Sequence, residues 1–257
     1  IAAQAGLTVW LFDSRAEAAA EARQRLRQTF ESLCGKGKLS AADAEAAQNR
    51  LRVAERLEQL GDCELVVEAI VERLEAKQEL LRRLEAIVAP ETILASNTSS
   101  LSITAIAAAC ERPQRVAGFH FFNPVPLMRV VEVVDGLASA PEVGDALLAL
   151  AARLGHRGVR TKDSPGFIAN RIGSFWMVVA QNEAIRLGLD VEEADAVIGK
   201  PFGIPSTGIF GLLDLVGIDL MPHLQHSLSS TLPKDDPYQA IARPSPLIDR
   251  MIAAENA

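Results

Sequence analysis

The sequence predicts an α/β protein: a doubly wound, mainly parallel sheet with helices on both faces, followed by a smaller all-helical domain. Two observations predict it. As far as about residue 163, short β-branched and aliphatic runs alternate with helical periods of about 10 to 18 residues, the pattern of strands joined by helical crossovers. From Phe167 onward helical periods alone recur, broken at residues 199–205 and at Gly217, and no run alternates as a strand does. Asp163-Ser164-Pro165-Gly166 marks the change, so the expected domains are residues 1–163 and 164–257.

Each element has its own justification. Thr8 to Phe12 is a β-rich run ending in Asp13, and residues 16–33 follow with helical spacing. Gly35-Lys36-Gly37-Lys38 breaks that helix, and Ser40-Ala41-Ala42-Asp43 has the form of a cap opening a second one. Residues 16–57 are therefore expected to form a helical hairpin. Leu65 to Ala69 reads as a buried strand, 74–88 as a helix and 92–96 as a strand. A helix through Ala108, strands over 115–119 and 130–134, a helix over 142–154 and a strand over 157–161 complete the pattern.

Composition narrows the function. Of 257 residues 49% are hydrophobic and 23% charged, which suits a globular chain, and a net charge of -7 argues against a nucleic-acid partner, which needs a basic face. Cys34, Cys63 and Cys110 lack metal-binding spacing and are odd in number, so neither a metal site nor a disulfide framework is expected. No apolar run reaches the roughly 18 to 20 residues of a membrane span, and residues 1–6 lack the charged start and cleavage site of a signal peptide. A reducing, cytoplasmic setting is expected. The apolar stretches 175–179 and 209–216 are more than a domain of about 95 residues readily buries alone, and dimerisation through the helical domain is the expected outlet.

Several residues have the chemistry of a site. In a dinucleotide-binding sheet an acidic residue at the end of the second strand accepts bonds from the adenosine ribose and disfavours a phosphate there; Asp13 has that position, although a turn or cap role is the commoner one for such a residue. The Gly-x-Gly-x-x-Gly turn of such a sheet does not occur in the sequence. Residues 1–6 look like the tail of the helix it opens, so the first strand and the phosphate loop are expected to precede this sequence. Asn97-Thr98-Ser99-Ser100 follows a buried strand, where ligands bind in this architecture or where an Asn-led turn simply caps the next helix. His120 follows the strand over 115–119. Glu132 lies on the next, where antiparallel or neighbouring placement brings its carboxylate to the imidazole and fixes the tautomer. Asn170 lies one turn into the helix opened by Pro165-Gly166, whereas His156, His223 and His226 have no comparable setting and are taken as structural or solvent-facing.

Taken in order, residues 65–72, Ala95 to Ser100, His120-Phe121-Phe122-Asn123-Pro124-Val125-Pro126, Val131-Glu132-Val133 and Pro165 to Arg171 resemble the 3-hydroxyacyl-CoA dehydrogenase family over nearly the whole chain. The resemblance implies a Rossmann-type NAD domain, a helical dimerisation domain and an acyl-CoA substrate. It implies that His120 is the general base, Glu132 its orienting partner, and Ser99 and Asn170 the groups that hold the substrate oxygens. On the cofactor side it implies Asp13, Ile70, Val71, Glu72, Lys77, Asn97, Ser99 and Asn123. Lys36 or Lys38 is the expected cation for the coenzyme A phosphates, or else part of an ordinary solvated turn. Residues 203–214 look more like the larger multifunctional fatty-acid oxidation proteins than the short enzymes. Two rival readings remain, a sugar-acid dehydrogenase of the L-gulonate type and a non-catalytic relative; the basic-tipped hairpin disfavours the first, and the joint presence of His120, Glu132, Ser99 and Asn170 the second.

Overall fold

A computed structural model describes residues 1–15, 17–203, 207–218 and 220–255. The chain divides into two compact units, Ile1–Asp163 and Ser164–Ala257.

The first unit opens with a helical turn closed by paired bonds, Leu7 N–H to the Ala2 carbonyl at 3.1 Å and Gly6 N–H to Ala3 at 3.3 Å, with Gly6 at φ 87°. There follow β1 (Val9–Leu11), α1 (Ala18–Gly35), α2 (Ala41–Asn49), β2 (Leu51–Val53), β3 (Leu65–Glu68), α3 (Leu74–Glu85) and β4 (Ile93–Ser96). Then come α4 (Ile103–Ala107), β5 (Val116–Phe121), β6 (Val130–Asp135), α5 (Pro141–Arg153) and β7 (Arg157–Lys162). β1 and β2 pair in parallel, and a second sheet runs β3-β4-β5-β6-β7, parallel except for the antiparallel β5–β6 pair. In these sheets β1 and β3 are each bonded along one edge.

The face of the larger sheet that α5 covers is apolar, which is what a sheet face packed on a helix requires. Ala117, Phe119, Val131 and Val133 are buried with Val143, Leu147 and Ala151 of α5. Each large side chain so buried contributes about 1.5 to 3 kcal/mol. Gly118 is needed where β5 meets β6, because a Cβ there would lie 2.7 Å from that of Val134.

The expected helical hairpin of 16–57 is present as α1 and α2, but it ends at Asn49 rather than reaching residue 57. Ser40 does cap α2, accepting from Asp43 N–H at 3.1 Å, but the chain then leaves the helix and Leu51–Val53 joins β1. Three residues are too few to show a strand period beside two strong helices. Residue 16 of that segment, and 204 and 205 of the expected break at 199–205, lie outside the described residues.

The second unit is built from α6 (Ala169–Leu187), α7 (Val191–Val197), α8 (Phe210–Val216), α9 (Leu220–Thr231), α10 (Pro237–Ile241) and α11 (Pro246–Glu255), with no strand among its described residues. Its core gathers Val178, Ile209, Leu213, Leu228, Ile248 and Tyr238, whose hydroxyl bonds Ser174 Oγ at 2.7 Å. Asp195 accepts from the N–H groups of Ile209, Phe210 and Gly211 at the start of α8. Among the described residues of this unit Phe202 is 71% and Leu215 75% exposed. No helix among the described residues is long and apolar enough to cross a membrane.

Candidate active site

The antiparallel step between β5 and β6 sets His120 directly opposite Glu132. Both side chains are buried, and Nδ1 of His120 lies 2.7 Å from Oε2 of Glu132. A carboxylate can only accept, so the pair places the imidazole proton on Nδ1 and makes Nε2 the accepting nitrogen of the ring. Phe122 stacks at a tilt on the ring, with centroids 4.5 Å apart.

The loop after β4 presents Ser99, and Glu72 organises it. Oε1 of Glu72 accepts from Thr98 Oγ1 at 2.6 Å, from Ser99 N–H at 3.0 Å, and from the N–H and hydroxyl of Ser100 at 3.1 and 3.0 Å. The other oxygen faces Lys77 Nζ at 3.3 Å. Burial alone would raise the Glu72 pKa, but the Thr98 hydroxyl, the Lys77 cation, the Ser100 hydroxyl and the Ser99 N–H together hold it below the usual carboxylate range. Lys77 is itself buried against Glu68, with Nζ 3.0 and 2.9 Å from the two carboxylate oxygens, and Ser96 Oγ also donates to Glu68. Lys77 thus reaches the strand edge through Glu72, as a buried cation between two carboxylates.

The remaining residues lie at the ends of parallel strands. Asn97 Oδ1 accepts from Phe121 N–H at 2.9 Å, joining the ends of β4 and β5. Ile70 and Val71 follow β3 and are 40% and 59% exposed. Asp13 follows β1, is exposed, and bonds Arg15 N–H at 2.8 Å. Asn123 is exposed and precedes Pro124 through a cis bond. These groups suit the nucleoside parts of a dinucleotide: an accessible carboxylate for a ribose diol, exposed apolar side chains for ring faces, and small amides for polar edges. A phosphate-cradling glycine turn is not among them. Lys36 and Lys38 are exposed in the turn between α1 and α2.

In the second unit Asn170 is the second residue of α6, closer to the helix start than its spacing predicted, after Gly166 at φ 74° and Phe167 at φ 48°. His156 is buried, its ring nitrogens 3.2 Å from the carbonyls of Leu154 and of Val125, which makes it a brace beneath the 122–128 connection. His226 is exposed, and the side chain of His223 lies outside the described residues. Sequence reasoning passed over Glu68 and Asp163. A charge inside the apolar run 65–69 was the signal for Glu68; for Asp163, bonded to Ser102, Ile103 and Thr104, there was none beyond its place at the boundary.

Comparison with known proteins agrees along the chain. The family described as "3-hydroxyacyl-CoA dehydrogenase, NAD binding domain" matches residues 1–164, and "3-hydroxyacyl-CoA dehydrogenase, C-terminal domain" matches 166–257. A probable 3-hydroxybutyryl-CoA dehydrogenase of Bacillus subtilis is 39% identical over 98% of this chain and 86% of its own. The human mitochondrial hydroxyacyl-coenzyme A dehydrogenase is 35% identical over 98% of this chain and 81% of its own. A crystal structure of (S)-3-hydroxybutyryl-CoA dehydrogenase from Ralstonia eutropha superposes with a TM-score of 0.91 at 33% identity, covering 98% of this chain and 87% of that one. The chain belongs to the 3-hydroxyacyl-CoA dehydrogenase family.

Proposed function

We propose that the protein interconverts (3S)-3-hydroxyacyl-CoA and 3-oxoacyl-CoA with NAD, and that short acyl chains are its substrates. The buried His120–Glu132 pair is the single observation that carries the chemistry. NAD, when bound, supplies the hydride acceptor. His120 Nε2 takes the proton of the C3 hydroxyl as hydride leaves C3, while the carboxylate of Glu132 keeps Nδ1–H in place and steadies the positive ring. Ser99, on the loop ordered by Glu72, donates to the substrate oxygen, and Asn170 is assigned the same kind of bond by family resemblance. Asp13 is assigned the adenosine ribose, and Ile70, Val71, Asn97 and Asn123 the nucleoside contacts, with Glu72 and Lys77 acting behind them. Lys36 or Lys38 is the proposed cation for the coenzyme A phosphates. The short-chain preference rests on the names of relatives such as those from Bacillus subtilis and Bradyrhizobium diazoefficiens. A cytoplasmic homodimer assembled through the helical unit is the proposed working form.

The test is NADH-dependent reduction of acetoacetyl-CoA by the full-length enzyme, followed by NADH absorbance beside NADPH and beside free acetoacetate. Turnover of the thioester with NADH and not of the free acid is expected, and turnover should fall as the acyl chain lengthens. His120→Ala should lower kcat by about 10²- to 10⁴-fold, the range for a positioned proton-transfer group; near-normal turnover in that variant would remove His120 from the mechanism.

A further inference from the structure

The loop that presents Ser99 is held at both ends by carboxylates. Glu72 takes the donors of Thr98, Ser99 and Ser100. At the far end Asp163 takes three more: Oδ1 accepts from Ile103 N–H at 2.9 Å, and Oδ2 accepts from Ser102 Oγ and Thr104 N–H, each at 2.7 Å. Between them Thr98 Oγ1 accepts from Leu101 N–H at 3.0 Å.

Sheet topology explains how Asp163, from the far edge, reaches this loop. Because β6 and β7 run against β4 and β5, Ser96, Gly118, Val134 and Thr161 form one row across four strands. The chain therefore leaves β7 level with the end of β4. Asp163 is the last residue of the first unit, so its carboxylate meets the loop at the point where the chain passes into the linker.

We propose that Asp163 is a positioning residue for catalysis: through residues 97–104 it fixes where Ser99 Oγ stands. A helix cap alone would stabilise α4 without touching Ser99. Here the capped turn is continuous with the loop, and Ser102 is both the N-cap of α4, accepting from Ala105 N–H at 3.1 Å, and a donor to Asp163. Slackening at 102–104 passes directly to a serine three residues away. The inference rests on the dehydrogenase reading, in which Ser99 bonds the substrate oxygen.

A double-mutant cycle in the full-length enzyme tests it. Asp163→Ala should lower kcat for acetoacetyl-CoA about tenfold or more, as loss of several charge-assisted bonds allows. In a Ser99→Ala background the same substitution should change kcat less than about twofold, because the group it positions is gone. Ser102→Ala, which removes one bond and leaves the chain intact, should show the same vanishing effect on a smaller scale and serves if Asp163→Ala fails to fold. Losses that multiply in the double variants, or wild-type kcat in Asp163→Ala, overturn the proposal. Should the wild-type enzyme not turn over the thioester, the functional reading falls by itself. Hydrogen exchange across 97–104 then decides the loop: faster exchange in Asp163→Ala upholds the tether, and unchanged protection overturns it.

Discussion

At the scale of single residues, the candidate site contains groups that order its loops. Glu72 is one whose ionisation can be followed. Its folded-state pKa is depressed, so the stability it contributes is complete above its unfolded value of about 4.3 and is lost as pH falls through the folded value. Urea midpoints measured from neutral pH down to about pH 3 should therefore drop less steeply for Glu72→Gln than for wild type. Parallel curves would mean that the Ser99 loop does not rely on that charge. Adjacency at this scale was only partly legible. The placement of His120 beside Glu132 could be anticipated from two neighbouring strands, one antiparallel option among others. The tether of Asp163 to Ser102 could not, because it depends on the register of four strands and no local pattern records that.

Among elements, the β5–β6 pair is the one on which the histidine depends. Gly118 stands opposite Val134, one pair along the same face from His120 and Glu132. A methyl at Gly118 would approach Val134 Cγ2 at 2.9 Å and Ile103 Cδ1 at 3.0 Å, so Gly118→Ala must push β6 or α4 outward. We expect a loss of about 1 to 3 kcal/mol, the usual cost of overpacking, with a fall in kcat because the imidazole and its carboxylate separate; thermal melting and turnover together check it. Long elements were readable since 12 to 19 residues of helix or a six-residue apolar strand repeat their period. β2 was not, since Leu51-Arg52-Val53 follows a helix with one intervening residue and shows half an alternation. Its partner β1 supplies what the sequence withheld.

For the whole molecule, the helical unit leaves Phe202, Leu215, Ile172 and Leu187 more than half exposed, apolar surface that the proposed homodimer would cover. The proposed homodimer predicts that analytical ultracentrifugation finds twice the chain mass, and that Phe202→Glu combined with Leu215→Glu shifts the protein toward monomer. A wild-type monomer at micromolar concentration removes the dimer from the account. At this scale the sequence offered two expectations, no nucleic-acid partner from its acidic balance and a dimer from the apolar stretches 175–179 and 209–216, while which side chains stand exposed is not displayed by a sequence.

The His120–Glu132 contact is made across a ladder of backbone bonds, and of the stretch 122–129 that joins the two strands it is Phe122 that packs on the imidazole. Beyond Phe122 and Asn123, residues 124–129 can lengthen, shorten or change character without disturbing the His120–Glu132 pair, provided the strands keep step. A shift of β6 by a single residue has the opposite character, since it turns the carboxylate into the apolar core beside α5 and takes Val131 and Val133 out of it, so the orientation of the histidine and the packing of the sheet are lost together.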